Sequence, residues 1–163
     1  MRGNIFTENA HVVMGLVPDS RALNGSSDVI NISLQHSVTA LLVKGPGAVG
    51  TTTLTVEACD TVGPANTTAI PFQYRRNIGG TDTWGALTVA TAVGFATTAN
   101  ANDIYEISID PAEVTAALVN AARGNRYVRI TLTQIDATVC DCCIVFILPR
   151  QRYEQQVPIT VLV

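Results

Sequence analysis

Hydrophobic and polar residues alternate along much of the chain, as they do in β-strands that are buried on one face. Tyr105, Ile107 and Ile109 fall on one face of the segment 103–110, and mostly polar side chains fall on the other. The same period of two recurs in three further segments, which are 28–35, 51–58 and 128–133. The pattern therefore predicts a protein built mainly from half-buried strands.

One helix is predicted between two of these strands. Asp110 is suited to cap it, Pro111 occupies the first position, where a missing N–H costs nothing, and Glu113 lies three residues after the cap. Gly124 is placed to end the helix, so we expect it to cover about 111–122. A single short helix among strands indicates a mostly-β domain and excludes an α/β nucleotide-binding fold.

The order of strands and turns predicts an antiparallel β-sandwich or jelly roll. Segment 38–44 is apolar on both faces, which is typical of a central strand, whereas Pro71 indicates an edge or the start of a strand. Gly- and Pro-rich turns separate about eight or nine short strands. We expect an N-terminal arm over 1–27 with at most one short strand, one sandwich domain over 28–153, and a strand or arm over 154–163.

The composition indicates a protein whose surface is partly covered by partners. Hydrophobic residues make up 47% of the 163 residues and charged residues only 14%, against about 25% in an average domain. The net charge of -3 provides no basic field for nucleic acid. No cleaved signal is expected. The uncharged run 83–102 is rich in Thr, Asn and Gly, so we interpret it as strand and loop and predict no membrane span.

The residue types that often carry chemistry do not form a recognisable motif. His11 lies in the expected arm and His36 in a turn, and neither has a nucleophile or carboxylate motif beside it. A general base needs convergent partners, so we interpret both as turn or surface histidines. The scattered carboxylates are expected on solvated strand faces. We predict no catalytic residue, no cofactor and no metal site.

Four cysteines leave three interpretations open. Cys140, Cys142 and Cys143 are too closely spaced on one strand to converge easily on a metal ion, and only Cys59 remains as a fourth ligand. A disulfide from Cys59 to Cys140 or Cys142 is the second possibility. The favoured interpretation is that the thiols are small apolar groups on a buried strand that continues through 144–148.

Several segments follow one another in an order that resembles small virion proteins of tailed phages, of the capsid decoration or stabilisation type. The matching segments are TTTLTVEA at 51–58, AIPFQYR at 69–75, GTDTW at 80–84, IYEISID at 104–110, RYVRI at 126–130 and an apolar strand that ends at 152–153. The resemblance spans about 28–153. It implies a β-sandwich or jelly-roll protein that coats or cements a capsid shell, commonly as trimers at local symmetry axes, and it implies no catalytic residues.

These observations predict a non-enzymatic virion protein that binds the major capsid protein and its own copies, and is assembled in the host cytoplasm. The expected contact residues are Val12, Val13, Leu16, Val17, Val157, Ile159, Val161 and Val163. The alternatives are a tail-tube or head-completion subunit, or a carbohydrate-binding jelly roll. In the last case, Tyr74 and Trp84 would form the ligand face.

Overall fold

Twelve strands and one helix form the part of the chain that the structure, a computed structural model, describes: residues 6, 9–21, 24–46, 50–117, 126–136, 138 and 140–149. The elements are β1 (Ala10–Arg21), β2 (Gly25–Ser26), β3 (Ile30–Asn31), β4 (Val38–Lys44), β5 (Thr52–Cys59), β6 (Thr67–Ile70), β7 (Phe72–Asn77), β8 (Thr88–Ala90), β9 (Phe95–Ala96), β10 (Ile104–Ile109), α1 (Pro111–Ala117), β11 (Tyr127–Gln134) and β12 (Cys140–Pro149).

The strands form two antiparallel sheets with jelly-roll order. Sheet A has the order β1-β12-β4-β10-β7-β8, and sheet B has the order β2-β11-β5-β6, with β3 and β9 paired to β11 and β5. If β2 and β3 count as one interrupted strand and the insertion β7–β9 is set aside, eight strands remain. Numbered along the chain, they lie in the orders 1-8-3-6 and 2-7-4-5, as in a jelly roll. The predicted mostly-β sandwich with one short helix is therefore confirmed.

The core lies between the inner faces of the two sheets. Leu42, Tyr105 and Ile144 are neighbours across three strands of sheet A, and all three are buried. Leu54 and Ile130 on sheet B belong to the same buried cluster. Full burial of one such side chain contributes about 1.5–3 kcal/mol, so this shared interior provides the main stabilising contribution.

The helix begins as the sequence predicts. The Asp110 carboxylate accepts a hydrogen bond from the Ala112 backbone N–H at 2.8 Å, and the Asp110 carbonyl accepts one from the Glu113 N–H at 3.1 Å. Pro111 and Val114 are buried, and α1 lies against β5 and β6 of sheet B. The structure describes the helix over Pro111–Ala117, and the expected continuation to 122 falls outside the described residues.

The N-terminal segment contributes far more to the sheet than a short strand. Residues 10–21 form β1, which pairs with β12 from Ala10 opposite Pro149 to Arg21 opposite Cys140. Its register shifts between Met14 and Leu16 and again after Leu16. Such irregularities break the period of two, which explains why the sequence pattern indicated only an arm here.

Two other predicted strands are shorter than expected because turns interrupt them. Within 28–35, the Asn31 side chain accepts a hydrogen bond from the Ser33 N–H at 2.9 Å, so only β3 is extended. The segment 87–95 is divided between β8 and β9 by a turn in which Gly94 has a φ of 81° and donates its N–H to the Thr91 carbonyl.

We predict that Gly15→Ala lowers the free energy of unfolding by about 1–3 kcal/mol, because the added methyl group would overlap the buried Phe146 ring. Urea denaturation measures this change. The matched control is Gly63→Ala, where an added methyl group meets nothing within 4 Å, and its effect should stay within about 0.5 kcal/mol. Equal midpoints for the two variants would contradict the tight approach of β1 to Phe146.

Candidate interaction surfaces

The outer face of sheet B is polar, as expected for a sheet in contact with water. Along β5 the outward side chains are Thr53, Thr55 and Glu57. The Glu57 carboxylate pairs with the Arg129 guanidinium on β11 at 2.6 Å. Sheet B therefore has the usual pattern of an antiparallel sheet with one face in water, and the outward residues of sheet A can be compared with it.

The outer face of sheet A is apolar over the middle of β1, β12 and β4, and this apolar region reaches β10 at Ile104. Met14, Val145 and Leu41 follow one another across β1, β12 and β4 in the register of the sheet. The rows on either side add further apolar groups, and we call the whole set the outer A face: Val12, Met14, Leu41, Val43, Ile104, Val145 and Ile147. Val12 and Met14 are 41% and 42% exposed, and the other five are half-buried.

This face arises from a local feature of the sequence. Four outward positions of β4 and β12 carry Leu41, Val43, Val145 and Ile147, where sheet B carries Thr and charged residues. The remaining outward positions of the two strands include Thr39, Asp141 and Cys143. The inward positions of both strands are also apolar, apart from buried Lys44 at the end of β4. Sheet A is thus suited to burial on both sides, although only one side faces the core.

A second group of exposed apolar side chains lies at the opposite edge of sheet A, beside β8. The segment 78–93 exposes five large apolar side chains, which are Ile78, Trp84, Leu87, Val89 and Val93. Val89 and Val93 are 68% and 79% exposed. The segment is nevertheless fixed to the sheet, because β8 pairs with β7 and the Gly85 N–H donates to the Arg76 carbonyl at 2.8 Å.

A buried polar network holds the base of the 78–93 segment. The Asp103 carboxylate is fully buried and accepts hydrogen bonds from the Arg76 guanidinium at 2.9 Å and the Gly79 N–H at 2.9 Å. It also accepts one from the Thr98 hydroxyl at 2.8 Å. Burial alone would raise the pKa of Asp103, but these donors outweigh it and hold that pKa below its ordinary value.

Buried Lys44 joins the same region. Its ammonium group donates hydrogen bonds to the Gly50 carbonyl at 2.9 Å and the Thr98 carbonyl at 2.7 Å. The Thr98 N–H in turn donates to the Tyr105 hydroxyl at 2.9 Å, and burial raises the pKa of Tyr105. The network therefore links β4, β10 and the loop before β10.

The structure divides the predicted contact residues on β1 between two environments. Val13 and Leu16 point inward and belong to the core, so they are not available for contact with a partner. Val12 and Val17 are exposed, as contact residues must be. The other four predicted residues, Val157, Ile159, Val161 and Val163, lie outside the described residues.

Tyr74 and Trp84 do not form a common ligand face. The Tyr74 ring stacks on the Phe95 ring at 3.7 Å beside the core. Arg75, the next residue on β7, points to the opposite side, and its guanidinium lies 4.8 Å from the centre of the Trp84 ring. The two aromatic side chains are thus on opposite faces of the sheet.

A concave region lies where β4 and β7 begin and β10 ends. His36 lines a cavity of about 420 Å³ together with Gln73, Ser108, Asp110 and Glu113. Buried Phe72 and Ile109 also line it. His11 is exposed on β1. Within the described part of the chain, no group of three or more His, Cys, Asp or Glu side chains has a geometry that could hold a metal ion.

Two of the cysteines occupy buried positions. Cys142 points into the core from β12, as expected for a small apolar group. Cys59 is buried at the end of β5 and carries a free thiol, so it is not the partner in a disulfide that the sequence left open. Burial raises the pKa of Cys59 to about 11. Cys143 points to the outer side of sheet A.

Taken together, these features define a jelly-roll protein with two apolar surfaces on sheet A, which are the outer A face and the 78–93 segment. No protein-family model matches the chain, and no curated protein matches it. Among solved structures, the SPBc2 prophage-derived protein YomS is similar over 86% of this chain and 92% of its own, with 12% identity and a TM-score of 0.47. At this level of similarity, no conclusion passes from that protein to this chain. No described helix combines the length and apolarity needed to cross a bilayer.

We predict that Val12 and Val13, although adjacent, respond oppositely to substitution by Asp. Val13 is 4% exposed, so Asp at this position places a carboxylate in the core. We expect it to lower the free energy of unfolding by about 4 kcal/mol or more, which lowers the thermal midpoint by about 10 °C or more or prevents folding. Val12→Asp should leave the midpoint within about 3 °C. Circular dichroism melting measures both. Equal losses in the two variants would contradict the assigned faces of β1.

We also predict that Asp103→Asn lowers the free energy of unfolding by about 2–4 kcal/mol near neutral pH, since it leaves Arg76 without its buried counter-charge. Because the folded pKa of Asp103 lies below its ordinary value of 3.8, its contribution is present above that value and is lost as the pH falls through the folded pKa. The wild type should therefore lose more stability than the variant between about pH 5 and about pH 2.

Urea denaturation at several pH values measures both slopes. Exposed Asp82 provides the matched control, and Asp82→Asn should leave both the stability and its pH dependence close to those of the wild type. Parallel pH curves for the wild type and Asp103→Asn would contradict the role assigned to the Asp103 carboxylate.

Proposed function

We propose that this chain is a non-enzymatic structural subunit of a phage particle, which binds a capsid shell and its own copies. The observation that carries the proposal is the pair of apolar surfaces on sheet A, which are the outer A face and the 78–93 segment. Soluble monomers rarely expose contiguous apolar patches of more than a few hundred Å². A domain that carries two such surfaces on a rigid framework is suited to a position between neighbours in an assembly.

The shell as a partner follows from the resemblance of the segments within 28–153 to capsid decoration proteins. That resemblance also implies self-association, commonly into trimers, and a place in the virion after assembly in the host cytoplasm. The major capsid protein is the proposed binding partner. Jelly rolls occur in viral capsid domains, although lectins and cupins share the fold, so the surfaces carry more weight than the fold itself.

We assign the shell contact to the 78–93 segment. It contains the most exposed side chains of the two surfaces, Val89 and Val93, and no charged residue occurs between Thr83 and Asn102. The Asp103 network and the β7–β8 pairing hold it in one conformation. A preformed contact loses less conformational entropy on binding than a loose one.

The cavity beside His36 favours a second candidate, a carbohydrate-binding module. Its lining combines an imidazole, an amide, hydroxyls and two carboxylates with the apolar side chains of Phe72, Val89 and Ile109. A concave lining that mixes apolar side chains with a few polar groups is typical of sites for small ligands. A tail-tube or head-completion subunit is a further alternative within the structural class.

We predict that the purified chain co-sediments with emptied shells of its encoding phage, and that the double substitution Leu87→Ser and Val93→Ser weakens this binding at least tenfold. Each substitution removes an apolar side chain worth about 1.5–3 kcal/mol if fully buried by the shell, and about 1.4 kcal/mol is a factor of ten. Quantitative sedimentation with increasing shell concentration measures the affinity.

Ile135→Ser is the matched control, because Ile135 is an exposed apolar residue outside both surfaces, and it should leave shell binding unchanged. Equal binding by the double variant and the control would contradict the assignment of the 78–93 segment. A wild-type chain that ignores shells would contradict the proposed function, and saccharide binding by the same chain would then favour the second candidate.

A further inference from the structure

We propose that the outer A face is covered by the same face of a second copy of this chain, related to the first by a two-fold axis. This inference rests on the proposed function and names the partner of one of its two surfaces. The two copies would form a four-layered arrangement in which two sheets A lie face to face. Two-fold contacts of this kind are the commonest in soluble homo-oligomers.

The chemistry of the face requires an apolar partner. Over β1, β12 and β4 its central row is Met14–Val145–Leu41, which is apolar, and the row reaches a charged residue only at Glu106 on β10. The next row adds Val43 and Ile104. A charged or strongly polar surface laid on these rows would lose its hydration without gaining hydrogen bonds. A flat apolar sheet packs well on another sheet, at a spacing of about 10 Å. The described chain offers one such sheet face, which is the outer A face itself.

The charged groups beside the face are compatible with a second copy. Glu106 lies in the same row as Leu41, and its carboxylate pairs with the Arg75 guanidinium of the same chain at 2.6 Å. This pair is neutral as a unit. This pair therefore brings no net charge to a contact between two copies, where like charges would disfavour self-association. The remaining outward charge on β12 is exposed Asp141, near the start of the strand and away from the central row.

The size of the face is sufficient for a specific dimer. Four strands, β1, β12, β4 and β10, at spacings of about 4.8 Å are about 19 Å wide. Their lengths average close to nine residues, or about 30 Å. The face therefore covers on the order of 600 Å², and two copies bury about 1,200 Å², the lower limit for stable interfaces.

The test changes the central row to the residue type found on the outer face of sheet B. Met14→Thr, Leu41→Thr and Val145→Thr are combined in one variant, because Thr is favoured in strands and polar enough to disfavour burial. By analytical ultracentrifugation, the wild type should have twice the 17.3 kDa mass of one chain, or an even multiple of it. The variant should show a dimer dissociation constant raised at least 100-fold, with an unchanged circular dichroism spectrum.

The matched control is Leu87→Ser with Val93→Ser, which changes the other apolar surface and should leave the face-to-face dimer intact. Three results would overturn the inference: a wild type that is monomeric at about 100 μM, a discrete trimer, or a threonine variant that associates as tightly as the wild type. A wild-type monomer that still binds shells would overturn this inference alone and leave the proposed function standing.

A second variant keeps the test decisive if the threonine variant does not fold. Leu41→Cys in a Cys143→Ser background places one thiol near the centre of the outer A face. A bismaleimide that spans about 10 Å should then join two copies, as facing sheets are about that distance apart. Thr55→Cys in the same background, on the outer face of sheet B, should not be joined. Equal cross-linking of the two variants would overturn the proposed contact.

Discussion

The structure depends on one constraint, which is that β4 and β12 are neighbours in the middle of sheet A and carry apolar residues on both faces at their central positions. Their inward residues, among them Leu42 and Phe146, form the core against sheet B. Their outward residues, among them Leu41 and Val145, lie one position away and face the other side. The same two segments therefore provide both a large part of the core and most of the outer A face.

The outer A face departs from the usual pattern of an antiparallel sheet. In most antiparallel sheets, polar outward residues keep one face in water, as Thr53, Thr55 and Glu57 do on β5. Two-sided apolar strands are stable only where both faces are covered. The inner face of sheet A is covered by sheet B, and the outer A face is the surface that the proposed second copy would cover.

Much of the local structure could be predicted from the sequence, because its causes are local. The alternation in 51–58 and 103–110 follows from side chains pointing to opposite sides, and the Asp110 cap needs only its own neighbours. The extent of β1 could not be predicted in the same way, since its register shifts beside Leu16 disrupt the period that marks a strand. The jelly-roll order depends on pairings between residues far apart in sequence, which periodicity does not encode.

The contact surfaces were predictable only in part, for a related reason. The apolar residues of β1 could be recognised as a group, but which of them face outward depends on the pairing with β12, and Val12 and Val13 differ by a single position. Tyr74 and Trp84 are ten residues apart and meet the same strand from opposite sides, so nearness in sequence was misleading. The two-sided pattern of 38–44 was the available signal for the outer A face, although it equally fits a strand buried within one domain.

The network around Asp103 gives a physical reason to regard the 78–93 segment as functional. A buried carboxylate with Arg76 and a nearby buried Lys44 is costly to assemble, and apolar residues of similar volume often stabilise a core as well or better. Here the network fixes one particular segment. The Asp103 carboxylate accepts hydrogen bonds from the Gly79 N–H, near the start of 78–93, and from Arg76, whose carbonyl accepts the Gly85 N–H. Rigidity at that point lowers the entropy lost when the exposed apolar side chains meet a partner. The network thus stabilises the domain and also fixes the conformation in which 78–93 exposes its apolar side chains, as the proposed shell contact requires.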